Sequence, residues 1–230
     1  LTPIGRAIVA EALPLLRQED KLIALCQRGE DLAGRFRLGF ITTAAVRFLP
    51  GFLAASKQDA PFATFEFETG LSATLQHKVL TGQLDAAIIT DADGLPSRLS
   101  SRILRQEPFV FAAHRGLAGK GLSGLMEQSD FLHFMPDTGI GKLIEVAMLN
   151  YERSPKARTI VLDNLEVIME CVVAQLGFTL LPIPDVERYL TSEIKIFPAP
   201  VALERKLVLV TLRDSALDRS GDKLIELLDH

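Results

Sequence analysis

Ile4, Ile8, Ala12, Leu15, Leu16, Leu22, Leu25 and Cys26 recur at three- and four-residue steps. That spacing predicts one long helix from residue 3 to about residue 30, with a single apolar stripe. Thr2 suits the N-cap and Pro3 the first helical position. Pro14 removes a backbone donor and predicts a kink or a restart. Gly29 and Gly34 are read as the end of the segment. An apolar seam of this length needs a cover, and a second copy of the same helix is expected to supply it, in preference to the chain's own globular part.

From Phe36 onward the pattern alternates between strand and helix periods. Residues 36–42 read as a strand, 43–57 as a helix with Pro50 as an irregularity, and 62–68 as a strand alternating phenylalanine with acid. Residues 72–81 form a helix stopped by Gly82, and 84–90 an apolar strand. This β-α-β-α-β order argues for a parallel sheet with helices on its faces. Residues 91–101, polar and holding Gly94 and Pro96, read as a crossing segment. A second unit follows, with strands at 108–113, 131–135, 159–162, 177–181, 194–197 and 207–212. Its helices are expected at 138–151, 164–175, 185–190 and 216–228. No internal sequence repeat is evident, yet the same kind of unit is built twice.

Composition narrows the class. The 230 residues suffice for one large domain or two small ones, and 48% hydrophobic with 23% charged residues is ordinary globular usage. The net charge is −4, with Lys and Arg scattered among acids, so this chain alone is not expected to grip a phosphate backbone. Cys26 and Cys171 stand far apart without histidine partners and predict reduced thiols, neither a disulfide framework nor a zinc site. No basic start, apolar run and cleavage site opens the chain, and no stretch reaches the ~20 apolar residues needed to span a bilayer. A soluble, cytoplasmic protein with no membrane partner is expected, and the start at Leu1 in place of Met suggests a fragment.

Several stretches resemble the LysR-type transcriptional regulators. Leu1-Thr2-Pro3-Ile4-Gly5 resembles the "L-T-x-x-G" that closes the family's winged helix-turn-helix and opens its linker helix. Leu38-Gly39-Phe40-Ile41-Thr42-Thr43, followed by Leu49-Pro50, resembles the first strand, hydroxyl-bearing turn and "L-P" of the effector domain. Thr69-Gly70-Leu71-Ser72 and then Leu80-Thr81-Gly82-Gln83-Leu84-Asp85 resemble "E-G-x-S" and "L-x-x-G-x-L-D". Leu162-Asp163-Asn164-Leu165-Glu166, with Val172 to Gln175 and Gly177-Phe178-Thr179-Leu180-Leu181-Pro182, resembles the late "V-A-x-G-x-G-x-x-L-L-P" stretch. Order and spacing over nearly the whole chain carry the match. Thr69 stands where an acid is common and Gln175 where glycine is common, and both departures bear on what the cleft binds.

The resemblance implies an α/β fold of two Rossmann-like subdomains, like the type 2 periplasmic binding proteins, preceded by a long linker helix. It implies a linker and dimerisation helix at 1–34, a first effector-binding subdomain at 35–103 with 204–230, and a second at 104–203. Crossings fall near 98–106 and 202–208. The family's DNA-reading residues would precede Leu1. The implied role is ligand sensing and oligomerisation in a transcriptional regulator. Its partners would be a small-molecule effector, further copies in a homodimer or homotetramer, and DNA only through the missing winged helix-turn-helix.

Open α/β sheets bind ligands beyond the carboxyl ends of their strands, where helix N-termini offer unpaired N–H groups to an anion, commonly a carboxylate. Thr42 and Thr43 lie where the first strand meets its helix, and a hydroxyl there either caps the helix or donates to a ligand. The resemblance favours ligand contact for Thr43. Gly70, Leu71 and Ser72 occupy the matching turn after the second strand. Thr138, Gly139 and Asn164 open helices in the second unit and are placed at the cleft by position, while Asp163 is read as a helix cap because it repels anions. No cluster of Arg or Lys falls on these turns, which leaves the effector's charge open, neutral polar molecules included.

No catalytic, metal or cofactor site is expected. His77, His114, His133 and His230 are isolated, without metal-ligand spacing, and neither a G-x-S-x-G elbow nor a phosphate loop is present. Cys171 reads as a buried inert thiol. Peroxide-sensing relatives carry a cysteine pair in the second subdomain, and residues 136–151 hold none, so that role is rejected. Two rivals share the scaffold. A transporter's solute-binding protein needs export and has no place for the first helix, and an enzyme needs a nucleophile or base that the turns do not supply.

Overall fold

The computed structural model describes residues 1–9, 11–12, 15, 32–92, 94–199 and 203–229. Thr2 caps the first helical turns as expected: the Gly5 N–H donates to its Oγ1 at 3.1 Å, and residues 3–9 are helical. Pro14, Leu16, Leu22, Leu25, Cys26 and Gly29 lie outside the described residues, and so do the expected kink and the end of the helix. Gly34 does not terminate that segment; it sits in the first strand with φ +99.

The first unit runs β1 (Ala33–Phe40), α1 (Thr42–Asp59), β2 (Phe62–Thr69), α2 (Ser72–Leu80) and β3 (Ala86–Asp91). Pro50 is accommodated inside α1 without ending it. The rest comprises β4 (Leu99–His114), a 3-10 turn (Ala118–Lys120), α3 (Gly121–Gln128), β5 (Phe131–Phe134), α4 (Gly139–Met148), β6 (Thr159–Leu162) and α5 (Leu165–Val173). It continues through β7 (Phe178–Pro182), α6 (Ile183–Glu187), β8 (Ile194–Pro198), β9 (Glu204–Leu212), α7 (Ala216–Arg219) and α8 (Gly221–Leu228).

Three elements depart from the sequence reading. β4 begins at Leu99 and not at Pro108, because a register shift between Ile103 and Arg105 interrupts the alternation that marks a strand. Helix α3 went unread because its eight residues include Gly121 and Gly124. The closing helix is two pieces, parted at Ser220.

Among the described residues, nine strands join one sheet in the order β2-β1-β3-β9-β4-β7-β5-β6, with β8 paired to β4. The βαβ steps are parallel, β1 with β2 and β3, and β5 with β6 and β7. β3 and β7 are buried almost throughout, as strands covered on both faces should be. The long strand β4 and strand β9 run antiparallel through the middle, from Leu99 opposite Leu212 to Pro108 opposite Glu204. Beyond Pro108, β4 lies between β7 and β8. Apolar side chains accordingly gather in two separate clusters. One draws on Leu32 to Leu104 and Leu207 to Leu228, with Phe52 edge-on to Phe65 and Phe67. The other draws on Phe109 to Ile194, with Phe111, Phe131 and Phe178 in ring contact.

The C-terminal helices are tied to the first cluster by Arg102 of β4. Its guanidinium donates to Asp218 Oδ1 at 3.1 Å, to the Asp218 carbonyl at 2.7 Å and to Asp222 at 3.0 Å. A Cβ at Gly221 would fall 2.4 Å from that guanidinium, so a side chain there would push Arg102 off its acids. Burial alone would raise the Asp218 carboxyl, but hydrogen bonds from Thr211, Ser100, the Asp214 N–H and Arg102 outweigh it and hold the group below the usual carboxylate range. A lowered folded value adds stability above the ordinary carboxylate range and loses it as pH falls through the folded value. Arg102→Ala is expected to cost about 1–2 kcal/mol at neutral pH. It should also flatten the acid-side fall in Tm below about pH 4; a Tm–pH profile parallel to the wild type's would show that Arg102 does not hold this carboxylate.

Candidate functional site

Between the two clusters lies a cleft of about 210 Å³. All eight residues singled out from the sequence line it: Thr42, Thr43, Gly70, Leu71, Ser72, Thr138, Gly139 and Asn164. They come together because each stands where a strand ends and a helix begins, and the sheet topology turns those ends toward one another. The N-termini of α1 and α2 enter from the first cluster, and those of α4 and α5 from the second. Four positive helix ends therefore converge on one space.

The two sides differ in how those ends are finished. Thr138 caps α4, its Oγ1 accepting from the Gly141 N–H at 3.0 Å and donating to the Met135 carbonyl at 2.8 Å. Gly141 allows this turn, since a Cβ there would fall 1.9 Å from the Met135 carbonyl oxygen. Asn164 caps α5, accepting from the N–H groups of Glu166 at 2.7 Å and Val167 at 3.2 Å. The cap is thus Asn164 and not Asp163, which lines the cleft. Helices α1 and α2 carry no side-chain cap; the residues ahead of them are Ile41 and Leu71. Thr42 is exposed at the first position of α1, and Gly70 holds the α2 turn by donating its N–H to the Phe40 carbonyl at 3.1 Å.

Thr43 and Ser72 do not cap their helices. Thr43 Oγ1 accepts from Arg205 at 3.3 Å, and Ser72 Oγ accepts from the Thr90 N–H at 3.2 Å. Each hydroxyl has an oxygen lone pair engaged, and among the described residues none accepts its own proton. Thr90 Oγ1 also lies at the cleft, buried and without a hydrogen-bond partner among the described residues.

Charges reach the cleft from positions beyond the strand-to-helix turns. Arg47 projects from α1 one turn after Thr43, on the same face, and Arg188 follows α6. The Thr43–Arg47 spacing was a signal that the turn-by-turn reading passed over. Asp163, Glu166 and Asp185 also line the cleft. Neither Thr69 nor Gln175 does. Gln175 instead keeps the left-handed backbone, φ 62, that favours glycine at the end of α5.

Behind the cleft wall sits a buried ion cluster that the sequence did not reveal. Arg205 of β9, with no solvent exposure, donates to Glu107 of β4 at 2.7 Å and to Asp185 of α6 at 2.7 and 3.2 Å. Glu107 also pairs with Arg47 at 2.5 Å. Burial pushes the Asp185 carboxyl up against the opposing pull of Arg205. Among the described residues no group of His, Cys, Asp and Glu is placed to hold a metal ion. His133 is buried and its Nδ1 lies 2.8 Å from the Phe134 carbonyl, and Cys171 is a free, half-buried thiol on α5. No helix among the described residues is long and apolar enough to cross a membrane. Asp185→Ala takes away the double contact that compensates Arg205 and is expected to cost about 3 kcal/mol; a urea midpoint within error of the wild type's, at equal slope, would contradict that.

Comparison with known proteins places this architecture. The chain matches the LysR substrate binding domain family over residues 29–230. It is 26% identical over 197 residues to the HTH-type transcriptional regulator YofA of Bacillus velezensis, covering 86% of this chain and 66% of that protein. It is 35% identical over 126 residues to a probable hydrogen peroxide-inducible genes activator of Mycobacterium xenopi, covering 52% of this chain and 65% of that protein. The chain thus spans a little under two thirds of the length of either relative. Among solved structures, the reduced regulatory domain of OxyR2 from Vibrio vulnificus superposes with a TM-score of 0.73 at 20% identity, covering 86% of this chain and 95% of that one. A full-length OxyR variant from Pseudomonas aeruginosa superposes with a TM-score of 0.73 at 22% identity, covering 99% and 80%. At these identities the likeness establishes the fold, the α/β arrangement of LysR regulatory domains that is shared with type 2 periplasmic binding proteins. Sheet order, paired cores and the family match agree: this chain belongs to the LysR substrate-binding domain family.

Proposed function

We propose that this chain is the effector-sensing part of a longer transcriptional regulator. A small polar molecule, most simply a carboxylate, binds between the two cores and biases how a DNA-reading winged helix-turn-helix meets its promoter. The observation that carries this reading is the convergence of four helix N-termini on one open cleft. The uncapped ends of α1 and α2, with the free protons of Thr43 and Ser72, offer donors to an acceptor-rich group. At about 210 Å³ the cleft is smaller than the ~300–1,000 Å³ of drug-sized pockets, and suits a metabolite of modest size.

The two cores supply the moving parts. We assign residues 35–103 with 204–230 to one lobe and 104–203 to the other, with β4 and β9 as the strands that cross between them. A ligand shifts such lobes only if it binds one arrangement more tightly, and ~1–3 kcal/mol of coupling is typical. A non-catalytic role fits a site whose hydroxyls and helix ends are arranged to hold a ligand. Peroxide sensing is not carried over from the activator-like relative and the OxyR structures, because residues 136–151 contain no cysteine.

The same reading covers assembly. Ile4 is 74%, Ile8 61% and Leu15 72% exposed, so these positions of the apolar stripe find no cover among the described residues. We assign its cover to a second copy, giving a homodimer or a tetramer built from dimers. Thermal-shift screening against a panel of small carboxylates and neutral polar metabolites is expected to find a stabilising compound, worth ~2.7 kcal/mol at 100 times its dissociation constant. Thr43→Ala and Ser72→Ala should each weaken that compound by about tenfold, the worth of one hydrogen bond to a charged group. Equal affinities in both variants would remove these hydroxyls from the site. In sedimentation the wild type should run as a dimer or larger at micromolar concentration, and Ile4→Glu with Ile8→Glu as a monomer; a wild-type monomer would contradict the helix-pairing reading.

A further inference from the structure

Arg205 is placed to do more than neutralise two buried acids. A guanidinium has five N–H donors in a rigid fork. Here Nε serves Glu107, Nη2 serves Glu107 and Asp185, and Nη1 serves Asp185 and the Thr43 hydroxyl. Every donor is used, the side chain has no solvent exposure, and the two carboxylates clamp it from different elements, β4 and α6. Glu107 is itself held by Arg47, which stands on α1 one turn beyond Thr43. The guanidinium therefore cannot turn away from Thr43 without breaking charge-assisted bonds that are out of reach of water.

We propose that Arg205 is a positioning residue for the cleft: it fixes the Thr43 hydroxyl as a donor toward the ligand, and so selects effectors that present an acceptor there. A hydroxyl rotates freely between donating and accepting unless a partner decides for it. With Arg205 donating into one lone pair, presenting a second donor to Thr43 meets a positive neighbour, while an acceptor meets the free proton. The cluster also ties the first turn of α1, which carries Thr43, to α6, which carries Asp185. Occupancy at Thr43 is thereby felt on both sides of the cleft through one rigid group. This inference rests on the effector-site reading above.

The test uses the chain labelled for NMR, with sodium acetate as the probe. In the ligand-free state, Arg205→Lys keeps the charge but has too few donors to serve Glu107, Asp185 and Thr43 together; it should move the Thr43 methyl resonance and leave that of Thr42 in place. Acetate should shift the backbone amides of Thr43 and Ser72 in the wild type, and Arg205→Lys should weaken that titration about tenfold. Thr43→Val should weaken it to a similar degree, and the double variant no further than either single one. Thr43→Val also keeps the test alive if Arg205→Lys fails to fold: the Arg205 Nε–H signal should move with acetate in the wild type and stay still in Thr43→Val. A Thr43 methyl indifferent to Arg205→Lys, additive losses in the double variant, or an Arg205 signal that moves equally in Thr43→Val, each overturns the proposal. No acetate response in the wild type, with the methyl shift present, overturns the anion-cleft reading and leaves the Arg205–Thr43 contact standing.

Discussion

A guanidinium taken out of water is tolerated only if each of its N–H groups finds an acceptor, and Arg205 sits in the middle of this molecule under that constraint. Its acceptors come from β4, α6 and α1, three elements that are far apart in sequence. Satisfying them fixes how β9 lies against β4 and how both cores approach the crossing strands. The apolar clusters provide most of the burial, but they tolerate small adjustments, and a saturated fork of charge-assisted bonds does not. The geometry of the cleft wall follows from where this cluster allows α1 and α6 to stand.

That constraint bears on function because the cleft is built from the beginnings of helices. A helix N-terminus attracts acceptors whatever its sequence, and two uncapped ones beside two donor hydroxyls make a polar pole on the first core. The opposite wall is finished differently, with Thr138 and Asn164 spending their oxygens on their own helices. Under the proposed sensing role, the asymmetry would give a bound molecule a direction, with its acceptor-bearing end toward Thr43 and Ser72 and the remainder against Phe134, Ile140 and Tyr189, which also line the cleft. Arg47, Arg188 and the acids Asp163, Glu166 and Asp185 add charge of both signs to the same lining.

Local rules explain what was legible in the chain. Period-two and period-3.6 patterns located most elements, and the turns between them pointed to eight of the residues that line the cleft, because in parallel α/β units the strand-to-helix turns share one edge of the sheet. The same rules misread places where long-range packing overrides local preference. Leu99 to Glu107 became strand only because β9 lies alongside, Gly121 to Gln128 became helix despite two glycines, and Ser220 breaks the last helix where Arg102 presses against Gly221.

By itself the sequence determined the α/β alternation, the family resemblance, and the hydroxyls and glycines that open the helices, since each depends on residues close together along the chain. It did not determine the roles of Thr43 and Ser72, which a local reading leaves open between cap and ligand donor. Only the tertiary structure removed the cap reading, by bringing Arg205 from 162 residues away and the Thr90 N–H from 18 residues away to occupy their lone pairs. A hydrogen bond's direction belongs to both partners, and one of them becomes visible only when the chain is folded.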